Sequence, residues 1–224
     1  MKRPRYLFDL FYELVVRDLK LRYKRSVLGL AWTLVNPLVQ LLVLSFIFRT
    51  VLPLDIPNYP SFLFTGLLAW NWFQLSLYSS TGAIVDNREL VRRPGFPVTV
   101  LPMVTVASYF IHFLLALPIL LAFLVLSGIR LSSAALLLPA IWAVQFVLTL
   151  SWAYLVAALH VTFRDTQHLL GIALMLGFYL TPIFYDASIL PSRYAWRYGL
   201  NPVAVLLNAY RELLIFGRLP DGLR

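Results

Sequence analysis

The sequence predicts an all-α polytopic membrane protein. Three observations carry that reading: an apolar excess, long stretches without charge, and a lopsided distribution of Lys and Arg. Hydrophobic residues make up 60% of the 224 residues and charged residues 13%, with a mean hydropathy of +0.78. A soluble domain runs about 45–50% apolar and about 25% charged. No core of this size hides such an excess, which excludes a soluble globular enzyme, and disorder requires low hydrophobicity. The chain has no Cys, which removes disulfides, thiolate zinc sites and Cys nucleophiles.

A helix crossing about 30 Å of hydrocarbon needs about 20 mostly apolar residues. Runs free of Asp, Glu, Lys and Arg cover 27–48, 56–85, 98–129, 131–163 and 166–185, with the second helix beginning near Ser61 after Pro57 and Pro60. These are five expected spans. A further run, 198–210, is too short to cross and contains Asn201-Pro202; it reads as re-entrant or interfacial. Residues 1–25 are dotted with charge and hold no apolar stretch of the kind a cleavable leader needs.

Orientation follows from the basic residues. Residues 1–25 carry Lys2, Arg3, Arg5, Arg17, Lys20, Arg22, Lys24 and Arg25; the loop after the second span adds Arg88, Arg92 and Arg93, and the loop after the fourth adds Arg164. The alternate side, up to Arg130, carries Arg49 and Arg130. The N-terminus is therefore expected in the cytoplasm, and the net charge of +9 is topology plus attraction to anionic lipid rather than nucleic-acid binding. Arg193, Arg197, Arg211, Arg218 and Arg224 break the alternation. Either this region folds back into the membrane or a final span follows residue 224, and the loop-like ending from Pro220 to Arg224 favours continuation.

Several segments carry candidate functions. Leu7, Leu10, Phe11, Leu14, Val15 and Leu19 lie on one helical face, opposite Asp9, Glu13, Arg17 and Lys20, with Glu13 and Arg17 a favourable i, i+4 pair. Such a helix lies in the membrane interface, as an anchor or as a lever onto the first span. Within the first span Pro37 kinks the helix, and Asn36 and Gln40 share a face directed at another helix or at a wet path. Residues 86–97 form a short charged helix, with Arg88, Glu89, Arg92 and Arg93, closed by Pro94-Gly95-Phe96. Leu90, Val91 and Phe96 there offer apolar contacts that suit a partner's groove. Asp86 and Glu89 form at most a weak acid/base pair beside three arginines. In the next loop Arg164-Asp165 lies between His160 and His168, Asp165 or Thr166 is placed to cap the following helix, and no third ligand supports a metal site. Trp70, Trp72, Phe73 and Tyr78 crowd the second span, and Tyr179, Phe184, Tyr185, Tyr194, Trp196 and Tyr198 the outer end; an interfacial belt accounts for Tyr194, Trp196 and Tyr198 and less well for Trp70 and Trp72, where a surface on which sugars stack is the alternative. No phosphate-binding Gly-Lys motif or hydrolase motif occurs, so nucleotide energy has to come from another chain.

Five blocks, in order along the chain, resemble the permease subunits of type-2 ABC exporters, in the branch that moves polysaccharide and polyol-phosphate polymers such as O-antigen, capsule or teichoic acid. They are the basic stretch from Arg17 to Gly29 followed by Trp32 and Asn36-Pro37; the stretch from Tyr59 to Phe73; Phe96-Pro97 with Leu101-Pro102; Phe163-Arg164-Asp165 with Thr181-Pro182-Ile183-Phe184-Tyr185; and Leu200-Asn201-Pro202 with Tyr210-Arg211-Glu212. The resemblance implies one permease domain over 1–224, in the bacterial cytoplasmic membrane, acting as a homodimer with two cytoplasmic ATPase subunits that bind ATP and Mg. It implies an interface helix at 1–25 (Leu10, Phe11, Glu13, Leu14, Arg17), a coupling loop at 86–97 (Arg88, Glu89, Leu90, Arg92, Arg93, Phe96), a second contact at Arg164 and Asp165, and an outer re-entrant segment at 186–211. It also implies a sixth span after 224. The substrate would be a lipid-linked glycan moving from inner to outer leaflet, with Asn36, Gln40, Trp70, Asn71 and Tyr179 as candidate path-lining residues and no catalytic residue or cofactor in this chain. A drug or small-lipid exporter is the alternative within transport, and a membrane glycosyl- or acyltransferase the alternative outside it.

Overall fold

The computed structural model describes residues 4–23, 31–186 and 199–220, and those residues are helical with connecting turns. The order is α1 (Pro4–Tyr23), α2 (Trp32–Phe46) prolonged by a π-helical turn (Ile47–Val51), α3 (Tyr59–Gly82), the single turn α4 (Arg88–Val91), α5 (Val100–Leu126), a 3₁₀ turn (Ser133–Leu137) running into α6 (Leu138–Thr162), α7 (Thr166–Leu180) and α8 (Pro202–Leu214). The predicted all-α class holds, and α2, α3, α5, α6 and α7 fall on the five charge-free runs.

Three helical stretches are long and apolar enough to cross a membrane outright: Leu34–Val51, Val100–Leu126 and Ser133–Thr162. At 24 residues, α3 has the length but interleaves Ser, Thr, Asn and Gln with its apolar positions. α7 stops at 15 residues, with Thr181 extended at φ −89°, ψ 139°, short of the predicted end at Tyr185. The physical reason is Pro182, which excludes the helical conformation from the residue before it.

The bundle is built round α3, which packs against α2, α5, α6, α7 and α8. Trp72 stacks on Phe113 at 5.1 Å and meets Phe110 at 4.8 Å. Trp70 reaches Phe178 of α7, and that approach exists because Gly177 has no Cβ: one placed there would lie 3.1 Å from the indole. Buried Gln145 of α6 donates from Nε2 to the Ala69 carbonyl at 2.9 Å, an inter-helix bond of the kind that joins helices in lipid. α8 begins at a true cap. Asn201 Oδ1 accepts from the Val203 and Ala204 amides at 3.1 and 3.3 Å, which shifts the helix four residues beyond the run read from sequence. Its buried side, Val203, Leu207, Tyr210, Leu213 and Leu214 among others, packs on α3 and α6.

Gly177→Leu should force α7 away from Trp70 and cost about 1–3 kcal/mol, the range for overpacking a filled core. A lowered melting temperature of the detergent-purified protein would show it, and an unchanged one would contradict the close approach.

Candidate functional site

At the end of the bundle that carries α1 and α4, a second small core forms apart from the main one. Leu14 and Val15 of α1 are buried against Val104 and Ala107 of α5, with Leu10, Phe11 and Leu19 around them; Leu90, Phe96, Val100 and Phe146 close the cluster. The amphipathic stripe of α1 thus finds its partner in α5 and in the 86–97 loop, while Leu7 remains 37% exposed. Leu90 and Phe96, read from the sequence as contact points for a partner's groove, are partly buried here. They pack against the cluster that α1 and α5 share, because an apolar side chain beside an amphipathic face gains from burial.

The polar side of the same contact is equally specific. Arg17 Nη2 donates to Asn87 Oδ1 at 3.4 Å, and Asn87 Nδ2 donates to the Ala83 carbonyl at 2.9 Å. The ion pair on α1 joins Asp18 and Arg22 at 2.8 Å, with Glu13 exposed to solvent. The Arg22 guanidinium stacks over the Tyr109 ring at 4.2 Å, and the Tyr109 hydroxyl is hydrogen-bonded to Ser79 Oγ at 2.7 Å. Burial works against the charge on Arg22, but Tyr109 and Asp18 outweigh it and hold its pKa above the ordinary arginine value. Between α1, α3 and α5 lies a cleft of about 480 Å³, lined by Arg17, Asp18, Arg22, Asp86 and Asn87 and reached by Gln167 of α7. The α6–α7 turn therefore sits at this end too.

What this end offers to solvent is charge. Arg88, Glu89, Arg92, Arg93, Arg164 and Asp165 are all exposed. The Asp165 side chain makes no cap to α7; Thr166 Oγ1 instead donates to the Phe163 carbonyl at 2.6 Å. Among the described residues no group of three or more His, Asp or Glu is placed to hold a metal ion.

The five candidate path residues separate. Asn36 and Gln40 lie exposed on α2, and Asn71 Nδ2 reaches Gln40 Oε1 at 3.3 Å. Tyr179 is 61% exposed at the end of α7. Trp70 differs: it is 2% exposed, its Nε1 donates to Gln74 Oε1 at 2.6 Å, and its ring is enclosed by Phe73 and Phe178. It belongs to the core of the protomer, since a large aromatic opposite a glycine is the tightest available packing. The part of the expected re-entrant segment from 187 to 198 lies outside the described residues.

In the sequence Arg211 stands among the charges that break the alternation and in the Tyr210-Arg211-Glu212 block, with no contact assigned to it. The structure buries it at 3% exposure, where Nη1 and Nη2 donate to the carbonyls of Pro182 and Ile183 at 2.7 and 2.6 Å. Its Cζ stands 3.5 Å over the Phe62 ring. The sequence signal was present, an arginine on the apolar face of a helix opened by Asn-Pro, but its carbonyl partners lie 28 and 29 residues away. Leu14→Asp should detach α1 from α5 and speed tryptic cleavage at Arg17 and Lys20, because a carboxylate in that cluster is left without a partner. The span-bearing remainder should stay in the membrane fraction, and unchanged cleavage would count against the shared core.

The chain matches the family model described as ABC-2 type transporter over residues 9–215. It is 37% identical to the O-antigen export system permease protein RfbA of Klebsiella pneumoniae, over 96% of this chain and 83% of that protein. It is 38% identical to the protein of the same name from Myxococcus xanthus, over 95% of this chain and 83% of that protein. The polysialic acid transport protein KpsM of Escherichia coli is 26% identical over 93% of this chain and 82% of its own length. A helical bundle with membrane-length apolar helices, matched along nearly its whole length, is what the fold and these comparisons share: the chain belongs to the ABC-2 type transporter family of multi-pass membrane proteins.

Proposed function

We propose that this chain is the membrane permease subunit of an ATP-driven exporter that carries a lipid-linked polysaccharide from the inner to the outer leaflet of the bacterial cytoplasmic membrane. It works as a homodimer bound to two ATPase subunits, which hold the nucleotide and Mg, and its N-terminus faces the cytoplasm. The names of the relatives support the substrate class. The structural observation that carries the reading is the shared core of α1, the 86–97 loop and α5. Arg88, Glu89, Arg92 and Arg93 stand exposed where an ATPase can push. Leu90 and Phe96 pass that push to Leu14 and Val104, so the loop, α1 and α5 move together. Arg164 and Asp165 add a second contact at the same end. Asn36, Gln40, Asn71 and Tyr179 then present hydroxyl and amide groups to a hydrated glycan as the protomers part.

Reversing charge with Arg92→Glu and Arg93→Glu together should cut the ATPase that co-purifies by about tenfold or more, since like-charge contacts across an interface cost several kcal/mol. Membrane insertion should be unchanged, and wild-type recovery of the ATPase would remove the coupling assignment. Deleting the gene in its host should abolish a surface polysaccharide and leave drug susceptibility as it was; the opposite pattern would favour a drug exporter.

A further inference from the structure

A closely bonded feature lies at the far end from α1. The segment 181–186, just after α7, is pinned from three sides. Arg211 of α8 holds the Pro182 and Ile183 carbonyls. Tyr59, at the start of α3, donates its hydroxyl to the Phe184 carbonyl at 2.9 Å. Asn201 Nδ2 donates to Thr181 Oγ1 at 3.1 Å. Phe184 in turn stacks on Phe48 of the π turn after α2 at 5.3 Å and faces Phe178 and Tyr179 of α7 at 5.9 and 6.2 Å. The far ends of α2, α3, α7 and α8 are thereby joined through one short segment.

We infer that Arg211 is a positioning residue that latches this joint, holding the segment after α7 against α8 and α3 so that the far end of each protomer keeps the shape that leaves the export path shut between transport cycles. The inference rests on the export reading above. The chemistry favours a latch over simple filling. Burying a guanidinium is costly, and a well-packed apolar residue in such a place is commonly neutral or better for stability. Charge-assisted bonds to carbonyls are short and directional, so the guanidinium specifies one position for the segment rather than merely filling space. Asp186, in the same segment, attracts the guanidinium electrostatically, which keeps the cation at the joint when its bonds to the carbonyls open. Gly66 completes the fit: a Cβ there would stand 2.8 Å from Nη2 and 3.1 Å from the Ile183 carbonyl oxygen. The helices so joined, α2 and α7, bear Asn36, Gln40 and Tyr179 on their exposed faces.

The test uses the complete permease with its ATPase, reconstituted into vesicles loaded with carboxyfluorescein, in wild type and in Gly66→Ala, Arg211→Lys and Arg211→Gln. Dye leak without ATP is read beside polymer exported per ATP hydrolysed. Gly66→Ala and Arg211→Gln should raise the leak by about tenfold, the population shift that follows from losing one charge-assisted hydrogen bond, and should lower export per ATP. Arg211→Lys should leak less than Arg211→Gln because an ammonium still reaches one carbonyl. Val156→Ala, a truncation of a buried residue outside these contacts, serves as the stability control. Wild-type leak and coupling in assembled Gly66→Ala complexes would overturn the inference, and so would equal leak from Val156→Ala at a matched loss of melting temperature. If the Arg211 variants do not assemble, Gly66→Ala decides alone. The gene deletion described above tests the export reading separately, since it does not depend on whether the closed path leaks.

Discussion

Enclosure of α3 is the constraint on which the rest depends. Lipid supplies no hydrophobic drive between helices, so association rests on close packing and a few inter-helix hydrogen bonds. A helix with neighbours on nearly every side must then offer small residues where backbones approach and large ones where they do not. Gly66, Ala69, Ser76 and Ser80 of α3 are buried beside Phe64, Trp70 and Trp72. Two of those choices reach beyond α3 itself. Gly66 leaves the space that Arg211 occupies, and Trp70 fits because α7 has Gly177 opposite it.

With its centre fixed in this way, the protein places its adjustable contacts at the two ends. At one end α1 is tied to α5 and the 86–97 loop by a small apolar cluster, bordered by the Arg17–Asn87 and Asp18–Arg22 contacts. At the other, a short segment is held by hydrogen bonds from Tyr59, Asn201 and Arg211. Both joints connect elements far apart in sequence; the first has a small cluster of its own, and the second shares Tyr59 and Ile183 with the main core. Local opening draws on regions with few buried apolar contacts, which describes the small cluster under α1; at the other end the hydrogen bonds to the segment after α7 have to break before anything moves.

The spans were legible because a membrane helix is a composition rule applied over about 20 residues, and the charge-free runs recovered α2, α3, α5, α6 and α7. The α1 stripe was legible because 3.6-residue periodicity survives without any knowledge of the partner. What packed against that stripe was not legible. Leu90 and Phe96 look the same in sequence whether they face a foreign groove or a neighbouring helix, and only the fold brings them to the cluster of Leu14, Val15, Val104 and Ala107. Trp70 was misjudged for a related reason, since its burial depends on a glycine over a hundred residues away. The early stop of α7 was available from Thr181-Pro182 but was outweighed by the length of the apolar run. As for the candidate site, the charges of the 86–97 loop are exposed, and the Arg211 joint is invisible in the sequence because its partners lie 28 and 29 residues away.

Arginine shows why charge counting has that limit. Arg88, Arg92, Arg93 and Arg164 are exposed at one end, where their number and placement, rather than any contact, carry topological information. Arg22 is half-buried, paired with Asp18 and stacked on Tyr109, and it fastens a surface helix to the bundle. Arg211 is enclosed, with its two terminal nitrogens on backbone carbonyls. These three roles differ in desolvation, which the sequence does not display: an exposed guanidinium keeps its water, a half-buried one exchanges part of it for a carboxylate and a ring, and a buried one exchanges it for fixed dipoles. The first kind is replaceable by lysine with little structural consequence. The last is not, because only a planar fork spans two adjacent carbonyls, and it is the cation that a net charge of +9 does least to reveal.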